Sequence, residues 1–218
     1  MMKRADRLRL LWHAVTGDNN ARSLLWWKLL RPDRLLYQHP LQQKDVVYDV
    51  GGFRGDWTCR MLSTYSCRYH VFEPHPEAFA KLMQRFASQP QVNLHEFALG
   101  GSNGFVSLSC AEEGSSIVSD RGESSIEVKL VDIREHLRNE RHPVALMKLN
   151  IEGAEFDFLE ALLWSDECNL VGDFLVQFHA GSPQAEKRYR SISQKLRETH
   201  SCVWRYPFLW ELWRRSKW

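Results

Sequence analysis

Residues 45–55 read DVVYDVGGFRG, a short β-branched run that is closed by two adjacent glycines. An apolar run of this length without polar alternation predicts a strand buried on both faces, as in a parallel sheet. Gly51 and Gly52 allow the backbone to turn sharply after the strand and to approach a ligand closely. With a helix predicted over residues 56–64, the stretch forms the strand–turn–helix unit from which α/β folds are built.

The same alternation of strands and helices continues along the chain. Further strands are predicted at residues 68–73, 92–97, 126–130, 145–151, 173–178 and 202–206, and helices at residues 77–88, 155–164 and 182–200. Residues 100–122 are rich in Gly, Ser and Asn, with a strand-like island at 105–108, and are interpreted as a surface loop or a lid. Asp132 and Glu135 have the spacing of a capping box that opens a short helix. The predicted fold class is α/β and Rossmann-like, a mostly parallel sheet with helices on both faces.

The composition is that of one ordinary globular domain, since 44% of the 218 residues are hydrophobic and 26% are charged. The sequence contains no apolar run of the ~20 residues that a membrane span requires, and no signal-peptide pattern. Its five cysteines are scattered, odd in number and without a CxxC pair, which predicts free thiols in the reducing cytoplasm. The net charge of +2 is small, and on that ground we expect no nucleic-acid partner.

The two ends of the chain are basic and rich in tryptophan. Residues 1–36 carry eight basic and three acidic side chains, and seven of the nine tryptophans lie towards one end or the other. Leu8, Leu11, Trp12 and Val15 form an apolar stripe at helical spacing. Two interpretations stay open: peripheral contact with the inner face of a membrane, or packing on the core or across a homodimer. The tryptophans concerned are Trp12, Trp26, Trp27, Trp210 and Trp213.

Two acidic residues stand at strand ends, where ligands of open α/β sheets bind. Asp49 begins the pattern Asp-x-Gly-x-x-x-Gly, whereas the dinucleotide fingerprint GxGxxG and a Gly-Lys-Ser/Thr phosphate loop are absent. A carboxylate there would repel a pyrophosphate but suits S-adenosylmethionine, which carries an ammonium and a sulfonium group. Glu73, at the end of the second strand, can accept both hydroxyls of a ribose. Either carboxylate alone is as well explained as a helix cap or loop anchor, whereas the two together favour this cofactor.

Polar side chains also follow the fourth and fifth core strands. Lys148, Asn150 and Glu152 alternate and share one face of an extended segment, where burial without partners is costly. The alternative to a functional role is a structural ion pair between Lys148 and Glu152 or Glu155, whereas Asn150 is expected to contact the ligand. His179 stands at the end of the fifth strand, where a general base would act, although a lone histidine is often structural.

Five motifs in this order resemble the FkbM family of methyltransferases. They are DVGGFRGDWT at 49–58, FEPHP at 72–76, ALG at 98–100, KLNIEGAE at 148–155 and QFH at 177–179. We assign an N-terminal helical extension to residues 1–40 and the methyltransferase domain to residues 41–218. The resemblance, which spans roughly residues 45–180, implies a class I methyltransferase fold. It also implies O-methylation of a sugar, glycolipid or natural-product hydroxyl, and therefore a small-molecule or glycolipid acceptor, with S-adenosylmethionine as the cofactor.

The resemblance assigns roles to individual residues. Those expected to bind the cofactor are Asp49, Gly51, Gly52, Phe53 and Gly55 at its methionine end, Glu73 on the ribose, Pro74, Ala98 and Leu99 near the adenine, and Asn150 facing the methyl-transfer region. The residues expected to be catalytic are His179, Asn150 and Glu152.

Two departures from the family's pattern narrow these expectations. Phe53 stands in place of an asparagine, so one polar contact near the methionine end is expected to be lost. Asn150 stands in place of an aspartate, and an amide takes up no proton at neutral pH and is a poor ligand for a hard cation. Deprotonation then falls to His179 or Glu152, or the acceptor is acidic enough to need little help, and no metal site is assigned. Two other classes stay open: a catalytically silent, cofactor-binding interaction protein, and a nucleotide-sugar or dinucleotide enzyme, against which the missing GxGxxG counts.

Overall fold

The structure is a computed structural model that describes residues 19–109, 125–179 and 183–216. Its strands are β1 (Val46–Val50), β2 (Arg68–Phe72), β3 (Val92–His95), β4 (Ala98–Gly100), β5 (Gly104–Ser109), β6 (Ser125–Asp132), β7 (Val144–Leu149), β8 (Val171–Val176), β9 (His200–Tyr206) and β10 (Trp210–Arg215). Its α-helices are α1 (Asn19–Leu30), α2 (Asp56–Leu62), α3 (Pro76–Arg85), α4 (Ile133–Glu140), α5 (Glu155–Leu163) and α6 (Pro183–Leu196). Two 3-10 helices span Pro32–Tyr37 and Asp166–Leu170.

The main sheet has seven strands in the order β3-β2-β1-β7-β8-β10-β9. All neighbours up to β8 are parallel, and β10 runs antiparallel to both β8 and β9. The order reverses between β1 and β7, so a crevice opens beyond the carboxyl ends of these strands. The register sets Asp49 of β1 beside Lys148 of β7.

Both faces of the sheet are covered, as the uninterrupted burial of β1 and β8 requires. One core lies under α4, α5 and α6 and includes Leu137, Phe158 and Ile192. The other lies under α2 and α3 and includes Met61 and Leu82. The predicted Rossmann-like α/β class is therefore confirmed.

A second, three-stranded sheet in the order β4-β6-β5 stands beside the first. The segment from residue 100 was interpreted as a loop or lid with one strand-like island. In the structure that island is β5, which pairs antiparallel with β6, while residues 110–122 lie outside the described part of the chain. Short, polar strands of this kind are specified by their partner strand and not by local pattern.

The start of α4 differs from the predicted capping box in one respect. The Asp132 side chain caps the helix by accepting from the backbone N–H of Arg134 at 2.8 Å. Glu135 does not return to the backbone of Asp132, because its carboxylate accepts from the Asn103 side chain at 2.6 Å. Asn103 takes its place, since its side-chain oxygen accepts from the Asp132 N–H at 2.9 Å. This asparagine thereby fastens the second sheet to the helix.

Strand β10 was missed by the sequence analysis, which took residues 202–206 as the last strand. Its sequence, WELWRR, lacks the apolar run or alternation that predicts a strand, yet Glu211, Leu212 and Trp213 are all buried. Trp213 and Trp210 thus belong to the core, and Trp27 of α1 packs against Trp204 and Tyr206. Packing accounts for these tryptophans, whereas Trp26 is exposed and Trp12 lies outside the described residues, as does the apolar stripe from Leu8 to Val15.

The sequence predicted no membrane-spanning segment. Within the described ranges, no helix is long and apolar enough to cross a membrane. The division into an extension over residues 1–40 and a domain over 41–218 stays a prediction.

Candidate functional site

A cavity of about 540 Å³ opens at the carboxyl ends of β1, β2 and β7 and continues along α5 and the second sheet. This volume lies in the range of small-molecule and cofactor sites. The described residues that line it are Val50, Gly51, Phe53, Phe72, Glu73, Pro74, Ala98, Leu99, Gly100, Gly101, Ser102, Val106, Leu108, Leu130, Asn150, Ile151, Glu152, Ala154, Asp157 and Glu160.

The turn after β1 is shaped by close backbone packing. Gly51 has φ +81°, and a Cβ there would lie 2.1 Å from the Asn150 carbonyl oxygen, so no side chain fits. A Cβ on Gly52 would lie 2.3 Å from a methyl carbon of Val71. Phe53 also has a positive φ of 47°, which is uncommon for a bulky residue. The chain therefore passes close under the cavity with its N–H groups turned towards β2.

Glu73 is buried and receives two backbone hydrogen bonds at the cavity wall. Its Oε2 accepts from the N–H of Phe53 at 2.7 Å, and its Oε1 accepts from the N–H of His75 at 2.9 Å. Among the described residues it has no salt-bridge partner. Burial raises the pKa of this carboxyl, and the two N–H donors and the positive charge of Lys148 oppose the rise. Each oxygen keeps a lone pair for a ligand hydroxyl.

Asp49, near the end of the neighbouring strand β1, is fully enclosed by protein groups. Its Oδ1 accepts from Lys148 Nζ at 2.7 Å and its Oδ2 from the Thr58 hydroxyl at 2.6 Å. Lys148 also donates to the Gly51 carbonyl at 2.8 Å. The ion pair of Lys148 is thus with Asp49, and not with Glu152 or Glu155 as the structural alternative proposed. The reason is the register, which places Asp49 and Lys148 side by side on adjacent strands.

Asn150 follows β7 and lines the cavity. Its backbone N–H continues the sheet by donating to the Val50 carbonyl at 3.1 Å. Its side-chain oxygen is buried and has no hydrogen-bond partner among the described residues. A buried amide oxygen without a partner costs free energy, and a bound ligand with a donor at this position would remove the cost.

Beyond Asn150 the chain turns sharply into α5. Glu152 lines the cavity with φ 46°, so it does not continue the extended strand face on which the sequence placed it. Glu155, fully buried, accepts from the Gly153 N–H at 2.7 Å and from the His179 N–H at 2.8 Å. The His179 ring lies between two carboxylates, 3.3 Å from Glu155 Oε1 and 3.8 Å from Glu152 Oε2.

The far half of the cavity is apolar on the side of the second sheet, where Val106, Leu108 and Leu130 face it. Asp157 and Glu160 of α5 also line the cavity, and Arg188 of α6 forms salt bridges with both. None of these five lining residues was predicted from the sequence. For Asp157 and Glu160 a signal was present, since their spacing of three places them near one face of the helix that follows the KLNIEGAE motif.

The structure brings together eight of the residues predicted from sequence. Those that line the cavity are Gly51, Phe53, Glu73, Pro74, Ala98, Leu99, Asn150 and Glu152. Four predicted residues do not line the cavity: Asp49, Gly52, Gly55 and His179. Asp49 and Gly52 are sequence neighbours of lining residues. Gly55 donates its backbone N–H to the Gly52 carbonyl, and the His179 ring lies 3.8 Å from Glu152. No group of three or more metal-ligating side chains suited to an ion occurs in the described ranges.

A family model described as "Methyltransferase FkbM domain" matches residues 49–198. The match covers the turn after β1, Glu73, the KLNIEGAE segment and His179, which are the motifs that carried the resemblance. The family expected from the sequence is therefore confirmed.

Solved structures share the fold at low sequence identity. One is a protein assigned as an rRNA methylase from Clostridium thermocellum, with a TM-score of 0.53 at 12% identity, covering 86% of this chain and 94% of its own. Another is a protein assigned as a methyltransferase from Streptococcus mutans, solved in complex with SAH, with a TM-score of 0.53 at 8% identity, covering 85% and 97%. At these identities the likeness shows the fold.

A curated relative is similar over a shorter stretch. Ribosomal RNA small subunit methyltransferase A from Synechococcus sp. strain CC9311 is 38% identical over 64 residues, which make up 29% of this chain. The match spans only 23% of that protein's length.

The exclusion of a nucleic-acid partner was wrong. It rested on the net charge of the chain, which says nothing about how charge is distributed over a surface. The curated relative is by name a ribosomal RNA methyltransferase, and the Clostridium thermocellum protein of the same fold is assigned as an rRNA methylase. The acceptor is therefore no longer restricted to a small molecule or a glycolipid.

Proposed function

This chain belongs to the FkbM methyltransferase family, and from that premise we propose that it transfers a methyl group from S-adenosylmethionine to a hydroxyl oxygen. The hydroxyl belongs to a sugar or a natural product, whether free or part of a larger molecule. The observation that carries the proposal is Glu73, a buried carboxylate at the cavity wall that is held by N–H groups and leaves a lone pair on each oxygen.

The residues present suit this cofactor at three places. Glu73 offers two adjacent acceptors, as the two hydroxyls of a ribose require. The unpartnered side-chain oxygen of Asn150 suits the ammonium end of the cofactor, or a donor on the acceptor. Phe72, Pro74 and Leu99 offer apolar contact to the adenine. In this proposal Asp49 does not contact the cofactor. It holds Lys148, which in turn donates a hydrogen bond to the carbonyl of Gly51 in the glycine turn.

When bound, S-adenosylmethionine supplies a methyl group that is already activated by its sulfonium. The protein then has to hold the acceptor oxygen in line with that methyl group and to exclude water. The acceptor hydroxyl must also lose a proton. The candidate bases are Glu152, which lines the cavity, and His179, whose ring lies 3.8 Å from it. Asn150 orients without taking a proton.

The cellular setting is part of the proposal. Cys59, Cys67, Cys168 and Cys202 are free thiols in the described part of the chain, as in proteins of the reducing cytoplasm. We therefore place the reaction there.

Calorimetry tests the cofactor. We expect S-adenosylmethionine and S-adenosylhomocysteine to bind and NAD not to bind, and binding of NAD alone would overturn the proposal. A methyl-labelled donor then tests turnover against sugars, natural-product hydroxyls and ribosomal RNA. Label on an oxygen of any of them supports O-methylation. Label on nitrogen or carbon would contradict it, and cofactor binding without transfer to any acceptor would favour the catalytically silent alternative.

A further inference from the structure

We propose that Glu155 is a positioning residue for a proton relay, in which Glu152 receives the proton of the acceptor hydroxyl and passes it to His179. The inference rests on the proposed function, since it concerns the same site. It assigns a role to Glu155 and decides the order in which the two candidate bases act.

Glu155 adds a side-chain link between the two loops that follow the adjacent strands β7 and β8. It is the first residue of α5, and its carboxylate is fully buried. Oε2 accepts from the N–H of Gly153 at 2.7 Å, within the turn after β7. Oε1 accepts from the N–H of His179 at 2.8 Å, beyond the end of β8. One carboxylate thus sets the distance between the two loops on which Glu152 and His179 stand.

The same carboxylate determines which nitrogen of His179 carries hydrogen. Nδ1 lies 3.3 Å from Glu155 Oε1, and an ionised carboxylate only accepts hydrogen bonds. Nδ1 therefore bears the hydrogen, and Nε2 is left to take up a proton. Nε2 lies 3.8 Å from Glu152 Oε2, which is within ion-pair distance but beyond a direct hydrogen bond, so proton transfer requires the two side chains to move closer or a bridging water.

Glu152 stands between His179 and the cavity. Its side chain is 43% exposed and lines the cavity, whereas His179 is not among the lining residues. Glu152 and Gly153 both have positive φ, 46° and 96°. This conformation is unfavourable for a glutamate and persists only where the surroundings impose it. Here the bond from the Gly153 N–H to Glu155 contributes to imposing it.

The charges around His179 favour its protonated form. Glu152 faces the ring from the turn and Glu155 faces it from α5, whereas Arg188 of α6 is paired with Asp157 and Glu160. Burial alone lowers the pKa of His179, but the hydrogen bond to Glu155 and the charges of both glutamates outweigh it and raise the pKa above 6.5. The ring can therefore hold a proton that Glu152 delivers.

The step balances as follows. The acceptor oxygen forms a bond to the methyl carbon while the bond from that carbon to sulfur breaks, and sulfur keeps the electron pair as a neutral thioether. The hydroxyl proton passes to a Glu152 carboxylate oxygen and then to Nε2 of His179. The positive charge lost from the sulfonium thus reappears on the imidazolium, between two carboxylates, and the proton leaves to solvent after product release.

NMR of the His179 ring nitrogens tests the geometry without a substrate. We expect the neutral ring to carry hydrogen on Nδ1, with a pKa above 6.5. In Glu155→Gln the pKa should fall and the preference for hydrogen on Nδ1 should be lost. In Glu152→Gln the pKa should also fall, but Nδ1 should keep its hydrogen. Hydrogen on Nε2 in the wild type, or an unchanged ring in Glu155→Gln, would overturn the proposal.

Turnover supplies the second readout, with the acceptor that the labelled-methyl screen identifies. In Glu155→Gln we expect kcat to fall about tenfold or more and its acid limb to move to lower pH, while the Kd of S-adenosylmethionine is unchanged. An unmoved acid limb would contradict the role. If Glu155→Gln does not fold, NMR of the His179 ring in the wild type and in Glu152→Gln tests the relay. Failure of S-adenosylmethionine to bind would overturn the proposed function, whereas binding together with hydrogen on Nε2 would overturn the relay alone.

Discussion

Asp49 and Glu73 are two buried carboxylates at the ends of neighbouring parallel strands, and they differ in what satisfies them. Asp49 bonds a lysine and a threonine side chain, and neither of its oxygens lines the cavity. Glu73 bonds two backbone N–H groups and has no ion-pair partner in the described part of the chain. Under the proposed function, the partners of the two strand-end carboxylates therefore distinguish them and their position does not, because Asp49 is bonded by side chains whereas Glu73 keeps a lone pair on each oxygen for a ligand.

The largest expected effect is on stability, at the Asp49–Lys148 pair. Asp49→Asn or Lys148→Met each leaves one buried charge without a partner and should lower the free energy of unfolding by about 3–5 kcal/mol. The double variant should lose less free energy of unfolding than the two single variants together, because it leaves no buried charge without a partner. Urea denaturation measures all three. Thr58→Val is the comparison, since it removes a hydrogen bond to the charged Asp49 carboxylate but no charge, at a cost of about 1.5–3 kcal/mol. Additive losses would show that the two charges do not act as a pair.

The next effect is on binding, at Glu73. Glu73→Gln should raise the Kd of S-adenosylmethionine by about 10- to 100-fold, because charge-assisted hydrogen bonds contribute roughly 1.5–3 kcal/mol. The free energy of unfolding should change by less than about 1 kcal/mol, since relief of the buried charge offsets one lost backbone bond. Calorimetry measures the Kd of S-adenosylmethionine, and urea denaturation measures the free energy of unfolding. If this variant lost stability as Asp49→Asn does, the comparison between the two carboxylates would fail.

A smaller effect is expected from pH, again at Glu73. Burial raises its pKa above 4.5 in the folded protein, so its contribution to stability is present below pH 4.5 and is lost as pH rises through the raised value. The affinity for S-adenosylmethionine depends on pH in the opposite direction and increases as pH rises, because the ribose hydroxyls require the ionised carboxylate. One pH unit below the raised pKa, affinity should be about tenfold weaker, or 1.4 kcal/mol. Calorimetry from pH 8 downwards tests this, and Glu73→Gln should remove that dependence.

The smallest effect is expected at Phe53, whose N–H connects the glycine turn to Glu73. Its φ of 47° suits asparagine better than phenylalanine, so Phe53→Asn should raise the free energy of unfolding by up to about 1 kcal/mol. Loss of the contact between the Arg54 guanidinium and the Phe53 ring reduces that gain. Thermal unfolding measures it. Phe53→Ala, which keeps the Cβ at the same φ, should give no gain, and an equal gain would point away from backbone strain.

The sequence predicted the parts of the molecule that local pattern determines. The buried strands β1, β7 and β8 read as apolar runs, and the glycine turn, Glu73 and Asn150 follow from motifs of contiguous residues. The pairing of Asp49 with Lys148 was not predictable, since the two residues are 99 positions apart and meet only through the register of two strands. Glu155 was misjudged for the same reason, because its partners lie on two separate loops.

The second sheet and β10 show the same limit in the fold. Strand β4 has only three residues and β5 is partly polar, and both pair with β6, which lies between them. Strand β10 contains Glu211, whose burial contradicts any pattern based on hydrophobicity. The structure satisfies that carboxylate with the Tyr189 hydroxyl and with the indole N–H of Trp213 at 2.8 Å. Partners that arrive from other elements are what a local pattern omits.

The place of β10 in the sheet also has a consequence for synthesis. The strand lies between β8 and β9, yet it follows both in the chain. Until residues 210–215 have left the ribosome, β8 has an open edge and the nascent sheet stops at five strands. Open apolar edges pair with other chains. A ribosome pause or a stop codon before residue 210 should therefore yield a product that aggregates or engages chaperones, even though every residue lining the described cavity has already been made.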